Sequence, residues 1–369
     1  IMREPEMVKK GPKGKGKKAS VAASPDRKPQ PVEDVVEEAQ TQLLFGNYDR
    51  AMEIMRELSA AHPDNAEVLD IYGTALAEVG QIDQAVAVFK RAVELSPYAG
   101  HEKYMYLSQL VDGPESLEYS SRGIELLKRA CACEEEDAQY AEDLRGQLCQ
   151  AICSTVETML NIPEFLSSSS HPGRAEDAAR MLEEAQASSP QNPEPAQVKA
   201  SLLVEVGGRE EEARAALRHS MSLWYVRPAS LCGGDQDEQG GGMEVDGRDG
   251  TGAESHLREG CAPPSFEFRF ETAKLVMELE DDARDSLAIL EGLLDENDAS
   301  LDTWFLLTLA HQGMGQIEEA KACLDHIEQA ISAYPADAEE RESIRLLRLD
   351  AEKIAKELAE EEEKRRRGV

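Results

Sequence analysis

The sequence predicts an all-α protein, a right-handed superhelix of about six or seven helical hairpins with a further helix at the C-terminal end. Three observations carry that expectation. From Val32 onward the apolar residues keep helical spacing. Pro63 and Pro97 lie 34 residues apart, each closing an Ala-rich segment that follows a glycine-containing turn. A fixed period of that size marks stacked helical hairpins. Aromatic residues make up only 5% of the 369 residues, low for a sandwich or barrel of strands. The 41% hydrophobic share suffices for a core, and no run of about 18 apolar residues is present to cross a membrane.

The second hairpin is the clearest. Leu69, Tyr72, Gly73, Leu76, Gly80, Ala85, Phe89, Ala92 and Pro97 fall at positions 4, 7, 8, 11, 15, 20, 24, 27 and 32 of the tetratricopeptide-repeat (TPR) frame. Small residues at positions 8, 20 and 27 let two antiparallel helices approach, and large ones at 4, 11 and 24 fill the gaps. The glycine makes the turn and the proline stops the second helix. One hairpin cannot bury its apolar face alone, so such units stack.

The other hairpins follow the same logic. Ala39, Ala51, Met55 and Pro63 form the first, with Gly46, Asn47 and Tyr48 at its turn. Tyr104, Leu107, Ser108, Val111, Ser120, Ile124 and Leu127 form the third, without the proline. The fourth pairs the apolar run from Tyr140 to Leu160 with Ala178, Leu182, Ala185 and Pro190. Gly207 and Ala213 mark a fifth, reaching Trp224. Ala273, Val276, Leu290 and Leu293 fit a looser sixth, and Trp304, Leu307, Gly315, Ala320, Leu324 and Ile327 a clear seventh. The expected organisation is a disordered basic tail (1–31), repeats one to five (32–228), a disordered acidic Gly-rich insertion (229–264), repeats six and seven (265–335) and a charged capping helix (336–369). A shorter flexible insertion, with four serines, spans 167–173.

Charge narrows the function. The net charge is −33. Residues 1–31 hold nine basic and three acidic side chains, so the remainder carries −39. Such a body repels nucleic acid and anionic membrane, and attracts a basic partner. Seven cysteines, an odd number with no secretory signal in view, predict buried small hydrophobes rather than a disulfide framework. No metal or cofactor site is expected, since the histidines form no cluster with Cys or Asp. GPKGKGKKAS lacks phosphate-loop spacing, and the acidic run from Asp295 to Asp298 has Ser300 where a calcium loop needs glycine. Nothing points to an enzyme.

In TPR arrays, positions 2, 5, 9, 12 and 13 of each first helix line the binding groove. Here these are Glu67, Asp70, Thr74, Ala77 and Glu78 in the second repeat, and Glu102, Met105, Gln109 and Asp112 in the third. The sixth supplies Glu267, Phe270, Lys274, Met277 and Glu278, and the seventh Asp302, Phe305, Leu309 and Gln312. The expected groove is acidic, with carboxylates for Lys and Arg and with Phe and Met as apolar anchors. The alternative is a general scaffold or an adaptor for an acidic heat-shock tail. That reading needs Lys, Arg and Asn where Glu67, Asp70 and Glu78 stand.

Two segments carry a closer likeness. HEKYMYLSQLVDGPESLEYSSRGIELL (101–127) and PPSFEFRFETAKLVMELEDDARDSLAILEGLLDENDASLDTWFLL (263–307) resemble the dedicated assembly chaperones of ribosomal large-subunit protein four. The resemblance implies a superhelix that grips the internal loop of the newly made ribosomal protein and accompanies it to pre-60S particles. It implies a protein of cytoplasm and nucleus; the basic run GPKGKGKKAS itself makes the Lys-rich tail a candidate site for an import receptor. The charge of the body, for its part, predicts no direct contact with nucleic acid or membrane.

Overall fold

In the computed structural model the described residues are 31–133, 138–162, 173–228, 257–258, 263–280, 282–333, 349 and 353–359. The tail 1–30, most of the insertion at 229–264, the serine segment 167–172 and most of the region 336–369 lie outside them. The chain divides into two compact units, residues 1–95 and 96–369.

The first unit holds two hairpins: α1 (Val32–Leu44) with α2 (Tyr48–Ala61), and α3 (Ala66–Glu78) with α4 (Ile82–Leu95). Asn65 opens α3 by accepting a hydrogen bond from the Val68 backbone N–H at 3.2 Å. Both turns close on a glycine in the left-handed region, Gly46 at φ 72° and Gly80 at φ 74°. At the second turn the Gly80 N–H reaches Ala77 O at 2.9 Å and the Gln81 N–H reaches Leu76 O at 2.8 Å. This pair of bonds satisfies carbonyls that the end of α3 would otherwise leave bare. A Cβ at Gly80 would meet nothing within 4 Å, so the backbone angle, and not space, selects glycine here.

At Gly73 the reverse holds. Its backbone is ordinary helix, but a Cβ would sit 2.6–2.8 Å from the Phe89 ring. Phe89, Ala85 and Ala92 of α4 are all fully buried. Burying a Phe side chain contributes about 1.5–3 kcal/mol, and the missing Cβ lets α3 come close enough to cover it. The core of this unit continues through Val36, Ala39, Ile54, Met55 and Leu58.

Among its described residues the second unit holds five hairpins. They are α5 (Glu102–Leu110) with α6 (Pro114–Cys133), α7 (Ala138–Asn161) with α8 (Arg174–Ser188), α9 (Glu194–Val206) with α10 (Glu210–Trp224), α11 (Phe266–Leu279) with α12 (Arg284–Glu296), and α13 (Leu301–Gly313) with α14 (Ile317–Ala333). Each helix packs on the next within this unit, and α7 also packs directly on α9. The last turn repeats the glycine closure: Gly315 has φ 69°, its N–H bonds Gln312 O, and the Gln316 N–H bonds His311 O. Residues 353–359 are helical, and Ile354 and Leu358 pack with Ile317, Ala320 and Leu324. Among the described residues the extended backbone pairing is a single bridge, Tyr225 with Leu257, which ties one point of the 229–264 segment to the end of α10. Cys149, Cys153 and Cys323 are buried as small core residues, whereas Cys131 is half-buried and Cys133, at the end of α6, is exposed, contrary to the expectation.

Arg269, like Lys103, is a charged side chain buried among the described residues of this unit. Its guanidinium holds Glu296 through two bonds of 2.6 and 2.7 Å, and Nε donates to Pro264 O at 3.1 Å. The fork fixes the start of α11 against the end of α12.

Two glycine substitutions separate rigid from yielding contacts. Gly73→Leu is expected to lower stability by about 1–3 kcal/mol or more, because the fully buried Phe89 ring has nowhere to go. At Gly123 a Cβ meets the methyl of Met105 and, at 3.2 Å, Tyr104 Cβ. The thioether can swing aside, so Gly123→Ala is expected to cost less than Gly73→Ala. Denaturant unfolding of the purified variants checks the order; equal midpoints for Gly73→Leu and the parent would remove the Gly73–Phe89 contact from its central place.

Candidate functional site

In the first unit, Glu67, Asp70, Thr74 and Glu78 follow one another at steps of three and four along α3, which puts them on one stripe. Glu67 and Glu78 are exposed and Asp70 is half-buried. The Thr74 hydroxyl donates to the Asp70 carbonyl at 3.1 Å, turning its oxygen back to the backbone. In the same unit Arg50 pairs with Glu38 and Glu53, and Arg91 with Asp64 and Glu94. The carboxylates of Glu67 and Glu78 are left facing solvent.

In the second unit the expected groove residues separate into two kinds. Glu102, Asp112, Glu278 and Asp302 are exposed, and Glu102 lies 3.7 Å from the His101 ring. Met105, Phe270 and Phe305 are half-buried and lean on their own fold. Met105 covers Gly123, Phe305 packs against the Ile317 and Leu324 cluster, and Phe270 joins the core around Trp224 and Leu290. Position 5 therefore serves packing as well as display, and only part of each of these side chains remains for a partner.

Glu267 belongs to a cleft of about 840 Å³ lined by α7, α9, α11 and the end of α10. Four carboxylates converge there: Glu157, Glu194, Glu267 and Glu271. Lys274 is the one lysine among the lining residues, and its ammonium is held by both oxygens of Glu271 at 2.8 and 2.9 Å. Glu157 is exposed on its outer side, but desolvation by the cleft wall pushes its carboxyl above its ordinary pKa, and Glu271 adds to this. Burial does the same to Glu194, with Glu157 as the second cause and a hydrogen bond from Asn192 opposing. Like charges confined in a partly desolvated cleft disfavour ionisation in this way.

Glu157, Glu194, Gln197 and Glu271 are not among the residues expected from the sequence. The frame of the fifth hairpin was readable for two of them. Ala200 is fully buried, as the small residue at position 8 should be. Placing it there sets Glu194, Gln197 and Ser201 at positions 2, 5 and 9. Glu157 had no comparable signal, because α7 runs 24 residues where α3 has 13 and does not follow the frame. Glu271 lies one turn beyond Glu267 and shares its side of α11.

Residues 42–99 match the family model of the tetratricopeptide repeat. A curated protein of Emericella nidulans, described as a probable assembly chaperone of rpl4, is 25% identical over 300 residues. The match covers 78% of this chain and 66% of that protein, so the chain spans about two thirds of the relative's length. Among solved structures, residues 1–338 of an assembly chaperone of RpL4 (Acl4) superpose with a TM-score of 0.63 at 22% identity, covering 79% of this chain and 100% of that one. The segment 42–99 thus matches the tetratricopeptide repeat, and the chain as a whole is similar in sequence and in fold to assembly chaperones of RpL4.

Proposed function

We propose that this chain is a dedicated chaperone of ribosomal large-subunit protein four, holding the newly made protein soluble until it joins the pre-60S particle. The observation that carries the reading is the set of solvent-facing carboxylates on first-helix positions, Glu67 and Glu78 in the first unit and Glu102, Asp112, Glu278 and Asp302 in the second. The described role of the Emericella relative supports the same client. Ribosomal proteins carry Lys- and Arg-rich extensions that bind RNA indiscriminately. An anionic holder masks them, and rRNA phosphates compete for the same side chains at delivery. Binding of this kind involves no chemical step, so the chain acts as a holder and not as an enzyme. The working places are cytoplasm and nucleus, with the Lys-rich segment 1–31 as the contact for an import receptor.

Co-expression with the ribosomal protein tests the reading. Soluble client is expected to be high with the parent chain and lost with Glu67→Lys, Asp70→Lys and Glu102→Lys combined, while the variant melts like the parent. A single exposed pair is worth about 0.2–1 kcal/mol, so the reversals are combined. Like charges set against each other add a repulsive part. Full client solubility with the triple variant would move the binding surface off these helices. Affinity for the client is also expected to fall steeply with added salt, because long-range attraction between exposed charges is screened.

A further inference from the structure

We propose that the cleft between α7, α9 and α11 is a subsite for an arginine side chain on an extended basic segment; the inference rests on the reading above that the client is a basic protein. Acidic lining alone would not single out this place in so acidic a chain. Two buried polar atoms do.

Gln197 is 4% exposed. Its Nε2 donates to the Phe268 carbonyl at 2.9 Å, which fixes the amide's orientation, since the flipped form would set oxygen against oxygen. Its Oε1 is buried and accepts no hydrogen bond. Trp224 is 3% exposed, and its indole N–H is buried and has no acceptor. Both residues line the cleft. Buried polar groups in folded proteins are nearly always satisfied, so an acceptor and a donor left open in one cleft point to a ligand that brings a donor and an acceptor. A polypeptide carrying a cationic side chain brings both: guanidinium N–H groups for Gln197 Oε1 and the carboxylates, and a backbone carbonyl for the Trp224 N–H.

The size and shape of the charge are also set. Among the described residues no three His, Cys, Asp or Glu side chains stand close enough to hold a metal ion. Arginine offers five donors in a fixed fork and lysine three on one atom. Glu157, Glu194 and Gln197 Oε1 are separate acceptors, which a fork reaches better than a point.

The test uses three probes: a synthetic peptide of the ribosomal protein's internal loop, a Gly-spaced arginine peptide, and the lysine version of the latter. Fluorescence anisotropy at constant ionic strength is the measurement. The parent is expected to bind the arginine peptide at least tenfold more tightly than the lysine one. Glu157→Gln with Glu194→Gln should erase that preference, and Gln197→Met, close in volume, should reduce it severalfold. Equal binding of both peptides by the parent, or an undiminished preference in the double variant, overturns the subsite. If the loop peptide fails on the parent while the arginine preference stands and is lost in the double variant, the chaperone reading falls and the subsite survives. Displacement of the arginine peptide by millimolar Mg²⁺ or Ca²⁺, but not by the guanidinium of free arginine, would also overturn it.

A second readout needs no ligand. Facing Glu157 and Glu194 are Glu267 and Glu271 with its Lys274 on α11, and Cys149 and Cys153 on α7. Both carboxyls have pKa values raised by folding, so the native state binds their protons more tightly than the unfolded chain. Their contribution to stability is therefore favourable at low pH and is lost as pH rises through the raised values. The double glutamine variant is expected to melt above the parent at neutral pH, with the gap closing as pH falls towards the ordinary carboxylate range. A gap that persists unchanged at acid pH would show that these side chains are not held in a crowded, charge-hungry site.

Discussion

The close approach of two helices within a hairpin is the constraint on which the rest depends. Where α3 meets α4 it is the Phe89 ring lying over the bare backbone of Gly73. That contact consumes one face of α3, and the positions that remain are fixed by the helical repeat. Glu67, Asp70, Thr74 and Glu78 cannot help forming a stripe, because the residues between them are committed to the core. Display is thus a by-product of packing. A sequence that keeps the small and large residues in frame can change the chemistry of the stripe freely, which is how one architecture serves unrelated partners.

The stripe chosen here is acidic, and the second unit shows what that costs. Carboxylates on an open helix face are solvated and do little harm. Glu157 and Glu194 are different. Glu157 keeps an exposed side chain and Glu194 is half-buried, yet partial desolvation in the cleft raises the pKa of both. Glu271 adds to the shift at Glu157 and Glu157 to that at Glu194, and the one lysine ammonium lining the cleft is already held by Glu271. The chain has arginines that could have neutralised them, yet spends these elsewhere. Arg269 grips Glu296, Arg218 grips Glu280, and Arg284 with Arg227 surrounds Asp282, whose carboxyl falls to about 2 chiefly through its bond to Arg284. Ion pairs thus hold the ends of α11 and α12 in place, next to a cleft left with excess negative charge. Stability given up at one place and recovered around it is the usual pattern of a site kept ready for a ligand.

Much of this was legible in the sequence, and what was not has physical reasons. The hairpins containing Gly46, Gly80 and Gly315 could be read because their turn needs a left-handed residue, and Gly73 because a packed contact admits no Cβ. These demands leave one residue type and so a visible mark. The cleft left none. α7 is too long for the frame, so nothing in its spacing separates Glu157 from the many other glutamates on solvated faces. Gln197 is informative only through an atom without a partner, which is a property of three-dimensional neighbours. Met105 and Phe305 show the opposite limit. Their position in the frame was readable, but the share of each side chain taken up by Gly123 or by the Ile317 and Leu324 cluster was not.

On the proposed reading a holder of basic protein has to bind well in the cell and still let go, and the two kinds of acidic site would divide that work. Exposed carboxylates such as Glu67 and Glu78 attract over a distance of about a Debye length, roughly 8 Å at physiological ionic strength, and discriminate little among Lys- and Arg-rich segments. In that role they would speed capture and be readily out-competed by the denser charge of rRNA. A partly desolvated cleft with a fixed acceptor at Gln197 and a fixed donor at Trp224 acts only in contact, and depends on the shape of what enters. Selectivity then comes from few residues and release from many, so a client can be chosen tightly at one point while most of its attachment remains open to exchange.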